Sequence, residues 1–273
     1  MKSIKLCRLQ KEHKKYLLQG LLLKPKQAVI SASGFMILTA ACLSSVPLAE
    51  AAGANWVSIP KTSDPLMTNI NIPANAAING MWSPTFAWPM NGLHSIVLPT
   101  GKVLTYGTDP SGNNQDGRTM DIWDPALGFG PSSHNTTFDA ARVNSFCGTA
   151  NFLANGKLMV SGGNTPRDSG LFSPADGTIT TSPFRLASDR WYTTNVNLPS
   201  GGSVIVGGMV PYNEGMSNDP VGAINAGLAS MTPELYDPAT GWRSLLGATS
   251  RDAFGPDFLR LSYPRAWVAP NGK

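Results

Sequence analysis

A short hairpin pattern recurs along this chain of 273 residues. The run LANGKLMVSGG at 153–163 aligns without gaps on LPSGGSVIVGG at 198–208, with three glycines in register. A shorter copy, LPTGKVL, occupies 98–104, and APNGK at 269–273 begins a fourth. Each copy is typical of a strand, a tight turn and a returning strand. The sequence therefore predicts an array of β-hairpins.

A second element follows each complete hairpin. Trp123, Phe172 and Tyr236 each lie two residues before a proline, at the end of a short apolar run. An aromatic residue on a strand that stops at a proline-containing turn predicts a third strand. Trp242, placed just after the third such turn, is predicted to begin a fourth strand.

The spacing of these repeats favours one all-β architecture. The chain after residue 51 is rich in Gly, Pro, Asn, Ser and Thr and has no sustained helical periodicity. The leading residues of the four copies are 55, 45 and 71 positions apart, which fits kelch-type propeller blades with variable loops. We predict an incomplete β-propeller over 80–273, with three blades and the start of a fourth. The last copy stops inside its turn at Lys273, which indicates a fragment. A β-sandwich with hairpin repeats is the alternative.

The first 51 residues have the pattern of an export signal. Eight lysines and arginines precede an apolar stretch at 28–48 and the small-residue site AEA at 49–51. We predict a secreted or periplasmic protein, with no stable membrane insertion after cleavage, and a lead-in segment at 52–79. An uncleaved membrane anchor and a lipid on Cys42 are the alternatives.

Removing the leader changes the charge and cysteine arguments. The remaining chain has 13 basic and 15 acidic residues, a formal charge of −2, so nothing indicates nucleic-acid binding. Cys147 is then the only cysteine. No internal disulfide can form, and the thiol is available for another use.

Cys147 holds the same repeat position as a tyrosine. Cys147 and Tyr192 each lie six residues before the leading leucine, Tyr263 lies six residues before Ala269, and Gly92 is the equivalent residue in the first copy. Equivalent positions of successive propeller blades lie side by side, so a thiol and a phenol are candidates to meet. Such a pair can be joined after oxidation, and a phenolate can ligate Cu(II). The alternative is that the cysteine is a small buried apolar residue.

Several short motifs resemble one family. SFC at 145–147, the hairpin ending in GGN at 162–164, and RWY at 190–192 before a further Gly-Gly hairpin resemble the galactose oxidase and glyoxal oxidase family of copper-radical oxidases. RWY is closer to the glyoxal oxidase branch. The resemblance implies a seven-bladed propeller in which Cys147 and Tyr192 form a thioether-linked radical cofactor. It also implies that Tyr192 binds copper, and that a primary alcohol or aldehyde is oxidised while O₂ is reduced to H₂O₂.

Other parts of the family pattern are missing. The family's remaining ligands, a Tyr-His pair and a later histidine, have no counterpart, because neither His94 nor His134 follows a tyrosine. We therefore expect the chain to be inactive alone. Val210 stands where galactose oxidase has a tryptophan over its cofactor, which argues against galactose itself as substrate.

Three residues are candidates to bind the substrate, a small-molecule alcohol, aldehyde or carbohydrate. Tyr263 is expected beside Tyr192 at the channel mouth, and Arg190 and Arg265 are predicted to hold an oxygen-rich substrate there. Each arginine can instead pair with a nearby carboxylate. The alternative function is a non-catalytic kelch-type propeller that binds carbohydrate or a cell-wall component.

Overall fold

The computed structural model describes residues 64–68, 70–138 and 143–273. The predicted export signal and Cys42 lie outside these residues, as does the first part of the lead-in segment, so those predictions stay predictions. Among the residues described, no helix is long and apolar enough to cross a membrane. All of the described residues lie in one compact unit, Val57–Lys273.

Three four-stranded antiparallel sheets follow one another along the chain, each with its strands in chain order. The first sheet contains β1 (His94–Val97), β2 (Val103–Tyr106), β3 (Thr119–Trp123) and β4 (His134–Phe138). The second contains β5 (Thr149–Phe152), β6 (Leu158–Ser161), β7 (Ser169–Phe172) and β8 (Ile179–Thr181). The third contains β9 (Trp191–Asn197), β10 (Ser203–Met209), β11 (Glu234–Asp237) and β12 (Gly241–Ser244). These sheets confirm the all-β class.

The repeated hairpin turn has the same geometry in every copy. The N–H groups of Leu98, Leu153 and Leu198 donate to the carbonyl four residues later at 2.8–2.9 Å. The glycine three residues after each leucine has φ between 79° and 85°, the left-handed region that favours glycine in tight turns. The fourth copy makes the same turn, closed by a 2.7 Å hydrogen bond from Ala269 N–H to Lys273 O, and no strand is assigned beside it in the described part of the chain.

The predicted third and fourth strands are also confirmed. Trp123, Phe172 and Tyr236 lie on β3, β7 and β11, the third strands of their sheets, and Trp242 lies on β12. His134 is the first residue of β4, and it lies opposite Trp123 in the cross-strand pairing of β3 with β4.

Neighbouring sheets pack against each other in chain order. Leu104 of the first sheet shares a buried cluster with Leu158 of the second, and Met159 of the second shares another with Tyr236 of the third. Residues of β1, β5 and β9, the first strands of the three sheets, line one cleft of about 460 Å³. The closed ring of a kelch-type propeller stays a prediction.

Three short α-helices lie outside the sheets of the described chain. They are α1 (Ala76–Asn79), α2 (Pro220–Asn225) and α3 (Arg251–Phe254). The side chain of Asp219 accepts a hydrogen bond from Gly222 N–H at the start of α2, and Ser250 caps α3 in the same way through Ala253 N–H. Both are ordinary N-caps, and the helices are too short to show periodicity in the sequence.

Candidate functional site

Cys147, Tyr192 and Tyr263, which we call the thiol–phenol cluster, share an unusual backbone conformation. Their φ values are 60°, 61° and 45°, in the left-handed region that costs a residue other than glycine about 1–2 kcal/mol. Tyr192 N–H donates to Cys147 O at 2.9 Å, and Tyr263 N–H donates to Tyr192 O at 2.7 Å. The three repeat-equivalent residues therefore follow one another in space. Gly92 lies outside this pattern, because its φ is not in the left-handed region.

The side chains of the cluster also meet. Tyr192 packs against the buried cluster that contains Cys147, and the side chains of Tyr192 and Tyr263 both lie close enough to the thiol to influence its pKa. The ring centroids of the two tyrosines are 5.2 Å apart, at an interplanar angle of 39°. The structure thus brings together the thiol and phenol that the repeat alignment paired, and places a second phenol beside them.

The Cys147 thiol is buried and protonated at neutral pH. Its residue is 6% exposed and packs in an apolar cluster with Phe146, Trp191 and Met209. Burial raises the pKa of Cys147 to about 11, although the two tyrosine side chains beside the thiol act in the opposite direction. Since the thiolate is the nucleophilic form, this cysteine is a poor nucleophile in the folded protein.

Tyr192 lies between an indole and a carboxylate. Its ring stacks on the adjacent Trp191 with centroids 4.1 Å apart and planes 14° from parallel, and its hydroxyl donates to Glu214 Oε1 at 3.3 Å. Burial raises the pKa of the Tyr192 phenol well above its usual range, and Cys147 and Glu214 raise it further. Burial likewise raises the pKa of Tyr263, the more so because Cys147 lies beside it.

The structure does not place Arg190 where a substrate can reach it. Its side chain is fully buried and forms a 2.8 Å ion pair with Glu234, which is also fully buried. A guanidinium with no exposed surface cannot contact a dissolved substrate. The arrangement observed is the pairing with a carboxylate, which the sequence left open as the alternative, and the predicted contact of Arg190 with substrate does not occur in this structure.

The other two candidates for substrate binding remain accessible. Tyr263 is 41% exposed, and Arg265, two residues later, is also exposed. Tyr263 lies beside Cys147, and its ring centroid is 6.2 Å from that of His94. An incoming molecule that reaches the cluster can therefore touch the Tyr263 side chain.

Sequence reasoning missed two neighbours of Tyr192. Trp191 was noted only as part of the RWY motif, although it supplies the aromatic surface over Tyr192 that Val210 lacks. Glu214 lies in the segment after β10, where nothing in the sequence singled it out. The signal that points to it is positional, because this segment follows the paired glycines 207–208 of the repeat that carries Tyr192.

The residues described offer some of the donor atoms that copper prefers. Tyr192 offers a phenol oxygen and Glu214 a carboxylate, both suitable donors for Cu(II). No group of three His, Cys, Asp or Glu side chains arranged to hold a metal occurs among the described residues. His134 pairs with Asp121, with 2.7 Å between Nδ1 and Oδ2, and the half-buried His94 stacks on Tyr106. Tyr192 therefore fits the role of one copper ligand, and the described chain does not complete the coordination sphere.

A buried thiol between two phenols on a repeated β-sheet scaffold defines a candidate redox site, and comparisons with known proteins point the same way. No protein-family profile matches the sequence. Two galactose oxidases of Gibberella zeae are each 26% identical over 210 residues, 74% of this chain and 28% of theirs. Art an 7 of Artemisia annua is 37% identical over 73 residues, 25% of this chain and 12% of that one.

The resemblance to the galactose oxidase family, predicted from the motifs, is thereby confirmed. This chain spans 28% of the length of the galactose oxidases it matches. Among solved structures, a fungal alcohol oxidase of the AA5 family in complex with copper superposes with a TM-score of 0.44 and 17% sequence identity. That superposition covers 60% of this chain and 32% of the oxidase.

Proposed function

We propose that this chain contributes the thioether half of an exported copper-radical oxidase, which oxidises a primary alcohol or an aldehyde and reduces O₂ to H₂O₂. The observation that carries the proposal is the contact of the Cys147 thiol with the Tyr192 phenol. The similarity to galactose oxidases over 74% of the chain supports it. Because the described residues do not complete a copper coordination sphere, the activity is proposed for a protein that supplies the remaining ligands.

The proposed cofactor requires an oxidation in place. The Cys147 S–H and one ring C–H of Tyr192 are lost, an S–C bond forms, and two electrons and two protons pass to O₂, which becomes H₂O₂. The chain's own contribution is alignment, since both residues are held by left-handed backbone and by the hydrogen bond between Tyr192 N–H and Cys147 O. Holding reacting groups in register lowers the entropic part of a barrier.

Copper bound at the Tyr192 oxygen would supply a one-electron acceptor beside the phenol. The protein around it then has two tasks. Stacking on Trp191 limits solvent contact with the Tyr192 ring. The Glu214 carboxylate accepts the hydrogen bond of the Tyr192 hydroxyl in the copper-free protein, and it is placed to take up the proton that the phenol would lose on binding copper. Tyr263 and Arg265 are the proposed contacts for the alcohol or aldehyde, because both are exposed near the cluster.

The mass of the full-length protein tests this function. After incubation with Cu(II) and O₂, we expect the intact protein to lose two hydrogen atoms, and a peptide that joins Cys147 to Tyr192 to appear after digestion. The thiol should then resist alkylation under denaturing conditions. Cys147→Ala and Tyr192→Phe are the matched controls, and neither should lose mass.

A copper-loaded protein that keeps its full mass, with Cys147 still open to alkylation after denaturation, would contradict the oxidase proposal. Specific binding to a polysaccharide in that same preparation would instead favour the non-catalytic propeller. Both outcomes are read from one sample, so the two functions are separated directly.

A further inference from the structure

The residue two positions before each member of the thiol–phenol cluster is buried, and only one of them is charged. Ser145 precedes Cys147, Arg190 precedes Tyr192 and Leu261 precedes Tyr263, and each is 0% exposed. Leu261 shows that an apolar side chain can fill this repeat position. The ion pair at Arg190 is therefore not required by the repeated fold and calls for a reason specific to the third sheet.

The Arg190 guanidinium hydrogen-bonds to β10 and to the residues at the start of β11. It donates to Gly207 O at 2.6 Å and to Thr232 O at 2.7 Å. It also donates to Glu234 Oε1 from Nη2 at 2.8 Å and from Nε at 3.3 Å. The guanidinium thus joins the end of β10 to the start of β11, and its planar fork suits several acceptors at once.

The Glu234 carboxylate also binds the backbone of the segment just before Arg190. Besides Arg190, it accepts hydrogen bonds from Ala187 N–H at 2.8 Å and Ser188 N–H at 3.1 Å. The pair therefore fixes residues 187–190 at both ends, directly ahead of Tyr192. Removing one partner of such a buried pair leaves an unpaired charge and unsatisfied backbone groups.

The backbone of Arg190 is also locked between two sheets. Its carbonyl accepts from Gly163 N–H at 2.9 Å. A Cβ on Gly162 would lie 2.1 Å from that carbonyl oxygen, and a Cβ on Gly208 would lie 3.0 Å from the Arg190 Cα. The backbone of Arg190 therefore fits between Gly162 and Gly208 only because neither glycine has a Cβ.

We propose that Arg190 and Glu234 are positioning residues, which hold the segment before Tyr192 so that its phenol stays against the Cys147 thiol. The pair acts through the backbone and touches neither the thiol nor the substrate. This inference deepens the proposed function and rests on it only for the thioether measurement below.

The first sheet supplies a matched control. Asp121 and Glu234 hold the same repeat position, two residues before Trp123 and Tyr236, and both are fully buried carboxylates. Asp121 pairs with His134 at 2.7 Å and accepts from Thr136 Oγ1 at 3.0 Å, and neither contact involves the thiol–phenol cluster. Asp121→Asn therefore perturbs an equivalent buried pair without loosening Tyr192.

The experiment measures how fast Cys147 reacts with iodoacetamide in the copper-free, folded, full-length protein, well below the melting temperature of each variant. We expect Glu234→Gln and Arg190→Lys to raise the rate about tenfold, equivalent to a local opening easier by about 1.4 kcal/mol. Asp121→Asn should stay within about twofold of the wild type, even with a lowered melting temperature. If Glu234→Gln does not fold, Arg190→Lys carries the comparison, because it keeps the positive charge.

The yield of thioether after treatment with Cu(II) and O₂ is the second measurement. We expect this yield to be lower than that of the wild type in Glu234→Gln and equal to it in Asp121→Asn. A wild type that forms no thioether overturns the proposed oxidase, while the alkylation rates still decide the positioning role. The positioning role is overturned if Glu234→Gln and Asp121→Asn raise the alkylation rate of Cys147 equally. It is also overturned if neither Glu234→Gln nor Arg190→Lys raises that rate.

Discussion

Replacing Gly162 with alanine should damage the fold far more than its backbone angle alone predicts. Gly162 has φ of 74° and donates its N–H to Asp168 O at 3.0 Å. An added Cβ would lie 2.1 Å from Arg190 O and 2.8 Å from the Arg190 Cβ. Backbone cannot swing aside as a flexible side chain does, so the second sheet has to move away from the segment before Tyr192.

Gly156→Ala is the control that isolates the backbone cost. Gly156 lies in the turn of the same hairpin with φ of 79°, and nothing lies within 4 Å of its added Cβ. A left-handed alanine costs about 1–2 kcal/mol, and overpacking against fixed atoms adds typically about 1–3 kcal/mol. We therefore expect Gly156→Ala to lose about 1–2 kcal/mol and Gly162→Ala about 2–5 kcal/mol.

Thermal unfolding followed by circular dichroism measures the difference. For a domain of this size, 1 kcal/mol shifts the melting temperature by about 2–4 °C, so Gly162→Ala should melt clearly below Gly156→Ala. Gly162→Ala should also speed alkylation of Cys147, whereas Gly156→Ala should leave that rate unchanged. Equal melting temperatures for the two variants would refute the close approach of the glycine to Arg190.

Two further predictions concern the cluster. Because burial raises the pKa of Cys147 to about 11, only on the order of one thiol in a thousand is ionised at pH 8. Alkylation of the folded protein should therefore accelerate about tenfold per pH unit between pH 8 and 10. A rate that levels off near pH 8.5 would contradict the burial of this thiol. The protonated thiol favours the fold below the unfolded pKa near 9, and this contribution is lost as the pH rises through about 11. Trp191→Ala removes a side chain that is 1% exposed, and it should lower the free energy of unfolding in urea by about 3–5 kcal/mol. Trp267→Ala, at a residue 77% exposed, should change that free energy by less than about 0.5 kcal/mol. Equal losses in the two variants would contradict the packing around Tyr192.

The repeat pattern predicted the backbone well because turn geometry depends on a few local residues. Gly101, Gly156 and Gly201 take up nearly the same φ in three turns, and a glycine at a fixed distance from a leucine is visible in the sequence. The same register predicted that Cys147 and Tyr192 would be neighbours. Position within a repeat is therefore a reliable guide to which backbone segments lie side by side.

Side-chain partners were predicted less well because they depend on contacts between distant segments. Arg190 and Glu234 are 44 residues apart, and no local pattern distinguishes a buried guanidinium from one that faces solvent. The Glu214 carboxylate reaches Tyr192 from a connection whose path the sequence does not specify. The helices of that connection and the next are only four to six residues long, too short for periodicity to show.

The chemistry of the site is set by residue identity on a backbone that the fold repeats. Cys147, Tyr192 and Tyr263 share one left-handed conformation, and each begins its segment beside the preceding member. The scaffold alone therefore makes three equivalent positions and says nothing about their reactivity. A thiol at the first and phenols at the other two give a group that can be oxidised. The buried charge pair occurs only ahead of the middle member among these three, which is the arrangement expected if Tyr192 is the residue whose position matters most.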